Sequence, residues 1–365
     1  MPICVASNPT GRKCSPGWAA PLTKYCQVIR RRELVKPLIF STDPLHPRTM
    51  EALSEIGDLE IASSCDASTL IRESLGADFV IVRSKVPEEV AQHPNLKAFI
   101  RHGAGLDMIP VQAATENGVM VVNAPGENAI TVAEHVMWST LGLMRHLNAM
   151  QTTQRTEGWA QARTWSSSGR ELSGKIMGII GMGNLGRAVC SLASRGFGMP
   201  IRAVTSRPNE LCDGAVSRTL HEAIAESDVV VLCCPLVPET VGLIGEEQLN
   251  LMKPDAILIN VSRGPVVDTD ALVACLQRDG IAGASLDVVS PQPLPQNHPL
   301  LKFRNVILTP HAAGISMDSL ERIGKIVVSE VQQIMSGRLP ENLCNHDVAQ
   351  PDLSTGTVPL DQRSC

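Results

Sequence analysis

The sequence predicts an α/β protein made of two doubly wound parallel sheets, the second inserted into the first. Three observations carry this. Short apolar runs of strand length, each closed by turn residues, alternate with segments of helix length. The alternation occurs in two series, separated by a long helical stretch. A second long helical stretch follows the second series. Buried strands that alternate with helices indicate a parallel sheet covered on both faces.

The first series begins at Pro37 with the runs "PLIFST", "FVIVRS", "LKAFIRHG" and "VMVVNAP". Residues 48–56 and 67–75 between them are candidate helices. "TVAEHVMWSTLGLMRHL", residues 131–147, has an apolar stripe and is expected to connect the two units. "WAQARTWSSSGREL" reads as an irregular arm. The second series starts at Lys175 with "KIMGII", "IRAVTS", "DVVVLCC", "AILINVS", "ASLDVV" and "VILTP". The helix Met317–Met335 follows, and the pattern ends near Asn345. The outer unit is therefore expected to be discontinuous, residues 36–135 and 317–345, around an inner unit of residues 136–316. No internal repeat with a period of 20–50 residues stands out.

Composition restricts the function classes. The 365 residues are 44% apolar and 19% charged, a normal globular balance. The net charge of −5 gives no basic field for nucleic acid. No apolar run is long enough to span a membrane. The eleven cysteines form no CxxC pair, so reduced thiols in a cytoplasmic protein are expected, with no metal site. Residues 1–35 open with six Lys/Arg and no acid before Glu33. They read as a transit peptide, or more plainly as a disordered extension or a start codon placed too early. Residues 346–365 read as a loose tail.

"KIMGIIGMGNLGRAV" places Gly181, Gly183 and Gly186 in GxGxxG spacing, after a strand candidate and at the start of a helix candidate. Dinucleotide binding requires that context. Gly181 serves the tight turn, Gly183 admits the pyrophosphate, and Gly186 lets helix and sheet approach. Helix-start amides would then face the phosphates. An acid at the end of the next strand selects NAD; here Thr205, Ser206 and Arg207 stand there instead. A hydroxyl and a guanidinium suit a 2′-phosphate, which favours NADP over NAD. The plain alternative is that Arg207 is a solvated loop residue.

"GENAITVAEH", "ELSGKIMGIIGMGNLGR", "VVLCCPLVPETVGLIG", "LINVSRGPVVDTDAL", "ASLDVVSPQPLPQNHPL" and "NVILTPHAAG" together resemble the D-isomer-specific 2-hydroxyacid dehydrogenases. This family includes phosphoglycerate dehydrogenases and glyoxylate/hydroxypyruvate reductases. The likeness runs from about Lys36 to Asn345. It implies two Rossmann-like domains, a cofactor domain inserted into a flavodoxin-like substrate domain, with the active site in the cleft. It also implies a homodimer joined through the cofactor domain and the arm near residues 159–170. The catalytic arginine is implied at Arg263 and the catalytic histidine at His311. The position of the family's catalytic acid is Gln292, in register and without a gap. Further cofactor contacts are implied at Asn184, Leu185, Cys234, Val261, Ser262, Asp287 and Gly314, with Asp287 facing the nicotinamide amide. Substrate contacts are implied at Arg263, at the amides of Ala104 and Gly105, and near Ser84.

The chemistry agrees with these residue types. A 2-oxo acid presents a carboxylate and a ketone. Arg263 can hold the first and polarise the second. The reduced oxygen must gain a proton, and His311 changes charge near neutral pH. A carboxylate beside it would raise its pKa, whereas Gln292 supplies a hydrogen bond without charge. His311 is then expected near its ordinary value. Either Gln292 is tolerated drift in a working reductase, or it alters the proton chemistry; NAD-dependent formate dehydrogenases, which transfer no proton, resemble this chain at that position. A non-enzymatic dinucleotide-binding module is the competing reading. Few aromatics and no evident basic cluster argue against a phosphorylated substrate.

Overall fold

The computed structural model describes residues 36–212 and 214–348. The N-terminal extension, and the tail beyond residue 348, lie outside the described residues. Two parallel sheets form the molecule. The first contains β1 (Leu38–Ser41), β2 (Asp58–Ile61), β3 (Phe79–Val82), β4 (Ala98–Arg101) and β5 (Met120–Val122), in the order β2-β1-β3-β4-β5. The second contains β6 (Met177–Ile180), β7 (Ile201–Val204), β8 (Ala215–Ser217), β9 (Val229–Leu232), β10 (Ile257–Asn260), β11 (Gly283–Leu286) and β12 (Val306–Leu308), in the order β12-β11-β10-β9-β6-β7-β8. These are the flavodoxin-like and the dinucleotide-binding strand orders.

Both sheets are buried on both faces, and this explains their sequence. Along β9, Val229 and Val231 join one core while Val230 and Leu232 join the core on the opposite side. A strand with two buried faces must be apolar throughout, so it reads as an unbroken run. The edge strands β2 and β8 were not expected. "DLEI" and "AVS" are mostly exposed and carry no such run.

The connecting helix spans Ala129–Met144 and stops where expected only approximately. His146 adopts a left-handed conformation (φ 53°), which ends that helix, and a separate helix Leu147–Thr156 begins. Val132, Ala133, Val136 and Met137 already pack on the seven-stranded sheet, so the expected limit at 135/136 falls inside this helix. The arm is more regular than expected: Trp159–Arg163 is α-helical and Thr164–Ser168 forms 3-10 turns. The helix Met317–Met335 is capped by Ser316 and returns to the first sheet. Its Ile323, Val327, Val331 and Ile334 pack against Ile39, Phe79, Ile81, Ile100 and Met120. This return brings a late segment of the chain back into the core of the first sheet. No helix among the described residues is long and apolar enough to cross a membrane.

Candidate active site

The carboxyl ends of both sheets open onto one cleft of about 740 Å³. Parallel strands place all their following loops at that end, where ligands of such sheets bind. Arg263 follows β10, Asp287 follows β11, His311 follows β12, and the loop 102–107 follows β4. All of them line the cleft, together with Gln292, Gly183, Asn184, Leu185, Cys234, Val261, Ser262 and Gly314.

The glycine turn after β6 is closely packed at Gly181 and Gly186. Gly181 has φ +102°, and an added Cβ would lie 2.8 Å from the backbone of Cys233 and Cys234. A Cβ on Gly186 would meet the Gly181 carbonyl oxygen at 2.0 Å. Both glycines are required by packing. A Cβ on Gly183 would meet nothing within 4 Å, although it caps the helix Asn184–Ser191 at the cleft wall. Protein packing therefore does not require a glycine there, whereas an approaching phosphate does. The residues present fit a dinucleotide. Thr205, Ser206 and Arg207 follow β7, where the Arg207 amide donates to the Thr205 hydroxyl at 3.0 Å. They are not among the residues lining the cleft.

The loop 102–107 is held from behind. Arg101 Nε donates to the Gly105 carbonyl at 3.0 Å, and its Nη1 donates to those of Val82 and His102. Asn123 Nδ2 donates to Ala104 O at 2.7 Å, and the Ala124 amide to Gly103 O at 2.9 Å. Four carbonyls in a row are thus engaged. Among the described residues, the amides of Ala104 and Gly105 have no protein acceptor. Amides without partners beside a cleft form an anion cradle.

Arg263 lies against this loop. Its Nη2 and Nε donate to Asp107 Oδ1 at 2.8 and 3.2 Å, and its Nη1 donates to Ser262 O at 2.7 Å. Gly105 makes room for it, since a Cβ there would fall 1.9 Å from Nη2. Three arginines line the cleft, Arg83, Arg101 and Arg263, which corrects the expectation of no basic cluster. They lie far apart in sequence and only the fold unites them. Burial pushes the Arg101 guanidinium down to about 10, with Arg263 acting in the same direction and Asp107 opposing, and it stays charged at neutral pH. Burial and the charge of Arg83 push His102 down to about 4, so it is neutral.

Gln292 Nε2 and His311 Nδ1 are 3.2 Å apart. His311 has φ 56°, and its loop is clamped by Asp287. The Asp287 carboxylate accepts from Thr309 Oγ1 at 2.6 Å and from the amides of Ala312 and Ala313 at 2.8 and 3.0 Å. Its backbone carbonyl accepts from the His311 amide at 2.9 Å. Asp287, expected to face the nicotinamide amide, lines the cleft, and its oxygens also accept hydrogen bonds from the loop that presents His311. The expectation of an ordinary histidine also changes. Burial pushes His311 below 6.5, the charge of Arg263 acts in the same direction, and Asp287 and Asp107 oppose them.

Ser84 does not line the cleft. Its hydroxyl donates to Asp43, and its amide to Thr42 Oγ1 at 3.0 Å. Sequence reasoning missed Arg101, Asn123 and Asp107. The available signal was their place beside the "HGAGLD" loop and at the end of β5.

Comparison with known proteins places these features among relatives. The family described as D-isomer specific 2-hydroxyacid dehydrogenase, NAD binding domain, matches residues 137–313. The chain is 36% identical over 324 residues to a D-3-phosphoglycerate dehydrogenase of Methanocaldococcus jannaschii, covering 86% of this chain and 60% of that relative's length. It is 35% identical over 328 residues to a glyoxylate reductase of Aeropyrum pernix, covering 86% of this chain and 98% of that one. The solved structure of an NADPH-dependent glyoxylate/hydroxypyruvate reductase from Sinorhizobium meliloti, in complex with NADP and malonate, superposes with a TM-score of 0.75. It is 26% identical and covers 87% of this chain and 99% of that one.

Proposed function

The chain belongs to the D-isomer specific 2-hydroxyacid dehydrogenase family, NAD(P)-dependent oxidoreductases of CH–OH groups, and from that premise we propose that it interconverts a small 2-oxo acid and its D-2-hydroxy acid. One observation carries the reading: Arg263, His311 and the free amides of Ala104 and Gly105 line a single cleft with the glycine turn. The dinucleotide, when bound, supplies or accepts the hydride. The five-stranded unit, with the helix Met317–Met335 packed on it, holds the substrate, and the seven-stranded unit, with the helix Ala129–Met144 packed on it, holds the cofactor.

The amides of Ala104 and Gly105 receive the substrate carboxylate. Arg263 orients the ketone and withdraws charge from its oxygen. In reduction, protonated His311 donates to the oxygen; in oxidation, neutral His311 accepts from the hydroxyl. Asp287 fixes the loop that carries His311, and Gln292 steadies the ring. NADP is favoured over NAD by Thr205, Ser206 and Arg207. Glyoxylate and hydroxypyruvate, which the relatives' names mention, are the first substrates to consider. A phosphorylated substrate is disfavoured, because Arg101 is committed to backbone carbonyls and Arg83 Nη1 to that of Pro44. The exposed Trp159, with Arg163 stacked on it, supports a homodimer formed through the arm. Free cysteines among the described residues fit a cytoplasmic enzyme.

A second reading keeps the enzyme and favours the opposite direction. A histidine held below 6.5 is mostly neutral at pH 7, which suits oxidation of the hydroxy acid. A panel of glyoxylate, hydroxypyruvate, pyruvate and longer 2-oxo acids with NADPH, and of the D-2-hydroxy acids with NADP, tests both. Turnover of none of them in either direction would contradict the proposal.

A further inference from the structure

We propose that Asp107 is a positioning residue of this reaction: from the opposite sheet it aims the Arg263 guanidinium and adds to the negative charge of a cleft in which Gln292 supplies none. The inference rests on the proposed roles of Arg263 and His311.

The geometry is specific. Arg263 follows β10 of one sheet and Asp107 follows β4 of the other, so their ion pair spans the cleft. With Nε and Nη2 on Asp107 and Nη1 on Ser262 O, every nitrogen of the guanidinium is anchored. A long, flexible side chain is thereby fixed in one orientation. The loop that carries Asp107 is itself braced by Arg101 and Asn123, so the anchor is rigid.

The charges around His311 explain why an acid is needed. Arg263 and Arg101 face it with positive charge, while Asp287 and Asp107 face it with negative charge. Gln292, its hydrogen-bond neighbour, is neutral. Asp287 spends both oxygens on Thr309, Ala312 and Ala313. Its charge still reaches His311, and Asp107 adds a second carboxylate, the one paired directly with Arg263. Without it, Asp287 alone would stand against two guanidinium groups that oppose the imidazolium reduction requires, and Arg263 would lose its aim.

A merely stabilising ion pair predicts something different, because Asp107 is half-exposed and exposed pairs contribute little. The test is kcat/KM against pH for reduction of the best 2-oxo acid with NADPH, in the wild type, Asp107→Asn, Asp107→Glu and Asp107→Asn/Gln292→Glu. NADPH titration of each accompanies it. Asp107→Asn is expected to bind NADPH as the wild type does, to lose about tenfold or more in kcat/KM, and to show its decline at lower pH. Asp107→Glu should recover most of the activity. Adding Gln292→Glu to Asp107→Asn should move the decline back upward. A profile for Asp107→Asn that superimposes on the wild type overturns the proposal. So does a loss of NADPH affinity as large as the loss of turnover, which would make Asp107 a structural residue. A wild type that reduces no 2-oxo acid would sink the underlying assignment instead.

Discussion

Gln292 meets His311 at Nδ1, across 3.2 Å. An amide can meet that nitrogen in either sense. Its N–H donates to an unprotonated Nδ1, and its carbonyl accepts from Nδ1–H. A carboxylate can do only the second, and it adds a charge that favours the imidazolium. Gln292 therefore holds the ring without selecting its protonation state. That selection passes to burial and to the surrounding charges, which together depress His311.

Arg263→Ala should abolish turnover and leave dinucleotide affinity nearly intact. The guanidinium donates to Asp107 and Ser262 O and, among the described residues, makes no hydrogen bond to the glycine turn. Cofactor titration and a turnover assay on the same preparation check this. Preserved turnover with weakened cofactor binding would reverse the role given to Arg263.

Gly183→Ala and Gly186→Ala should fail in different ways. The first adds a methyl group that meets no protein atom, so melting should match the wild type while cofactor affinity falls. The second drives a methyl group to 2.0 Å from a backbone oxygen, and the backbone must move. Overpacking of this kind costs about 1–3 kcal/mol. Thermal melts with and without NADPH separate the two; equal melting temperatures for both variants would contradict the packing argument.

Kinetic preference for NADPH should exceed that for NADH, and Arg207→Ala should reduce it by raising KM for NADPH alone. A guanidinium adds a charge-assisted contact to a 2′-phosphate and nothing comparable to a hydroxyl. An equal or better kcat/KM with NADH in the wild type would show that Arg207 serves the loop.

The sequence made the interior of the fold legible and left its margins and its tertiary contacts obscure. Strands such as β3, β9 and β10 are buried on both faces and could be found as apolar runs. The edge strands β2 and β8 could not, because exposure removes the pattern. The break at His146 depends on a left-handed residue that is not a glycine, which no local signal marks. At the site, the positions of Arg263, Gln292 and His311 could be read from motifs. Asp107 could not be linked to Arg263, because their contact exists only where two sheets meet. The direction of the His311 shift was likewise hidden, since burial and the arginine cluster are products of folding.

The central claim is that His311 carries the proton and that, with an uncharged neighbour at 292, burial and the surrounding charges set when it can do so. The most direct measurement is kcat/KM against pH, in both directions, for the wild type and Gln292→Glu. In the wild type, reduction should decline as pH rises through a value below 6.5, because the protonated donor is lost there. Oxidation should rise across the same interval. A glutamate at 292 favours the charged ring, so both limbs should move upward by about 1–3 pH units, the usual effect of a close opposite charge. Oxidation near neutral pH should weaken in the variant for the same reason. Superimposable profiles for the two proteins would contradict the account, because they would show that a charge placed at residue 292 does not reach the ionisation on which turnover depends.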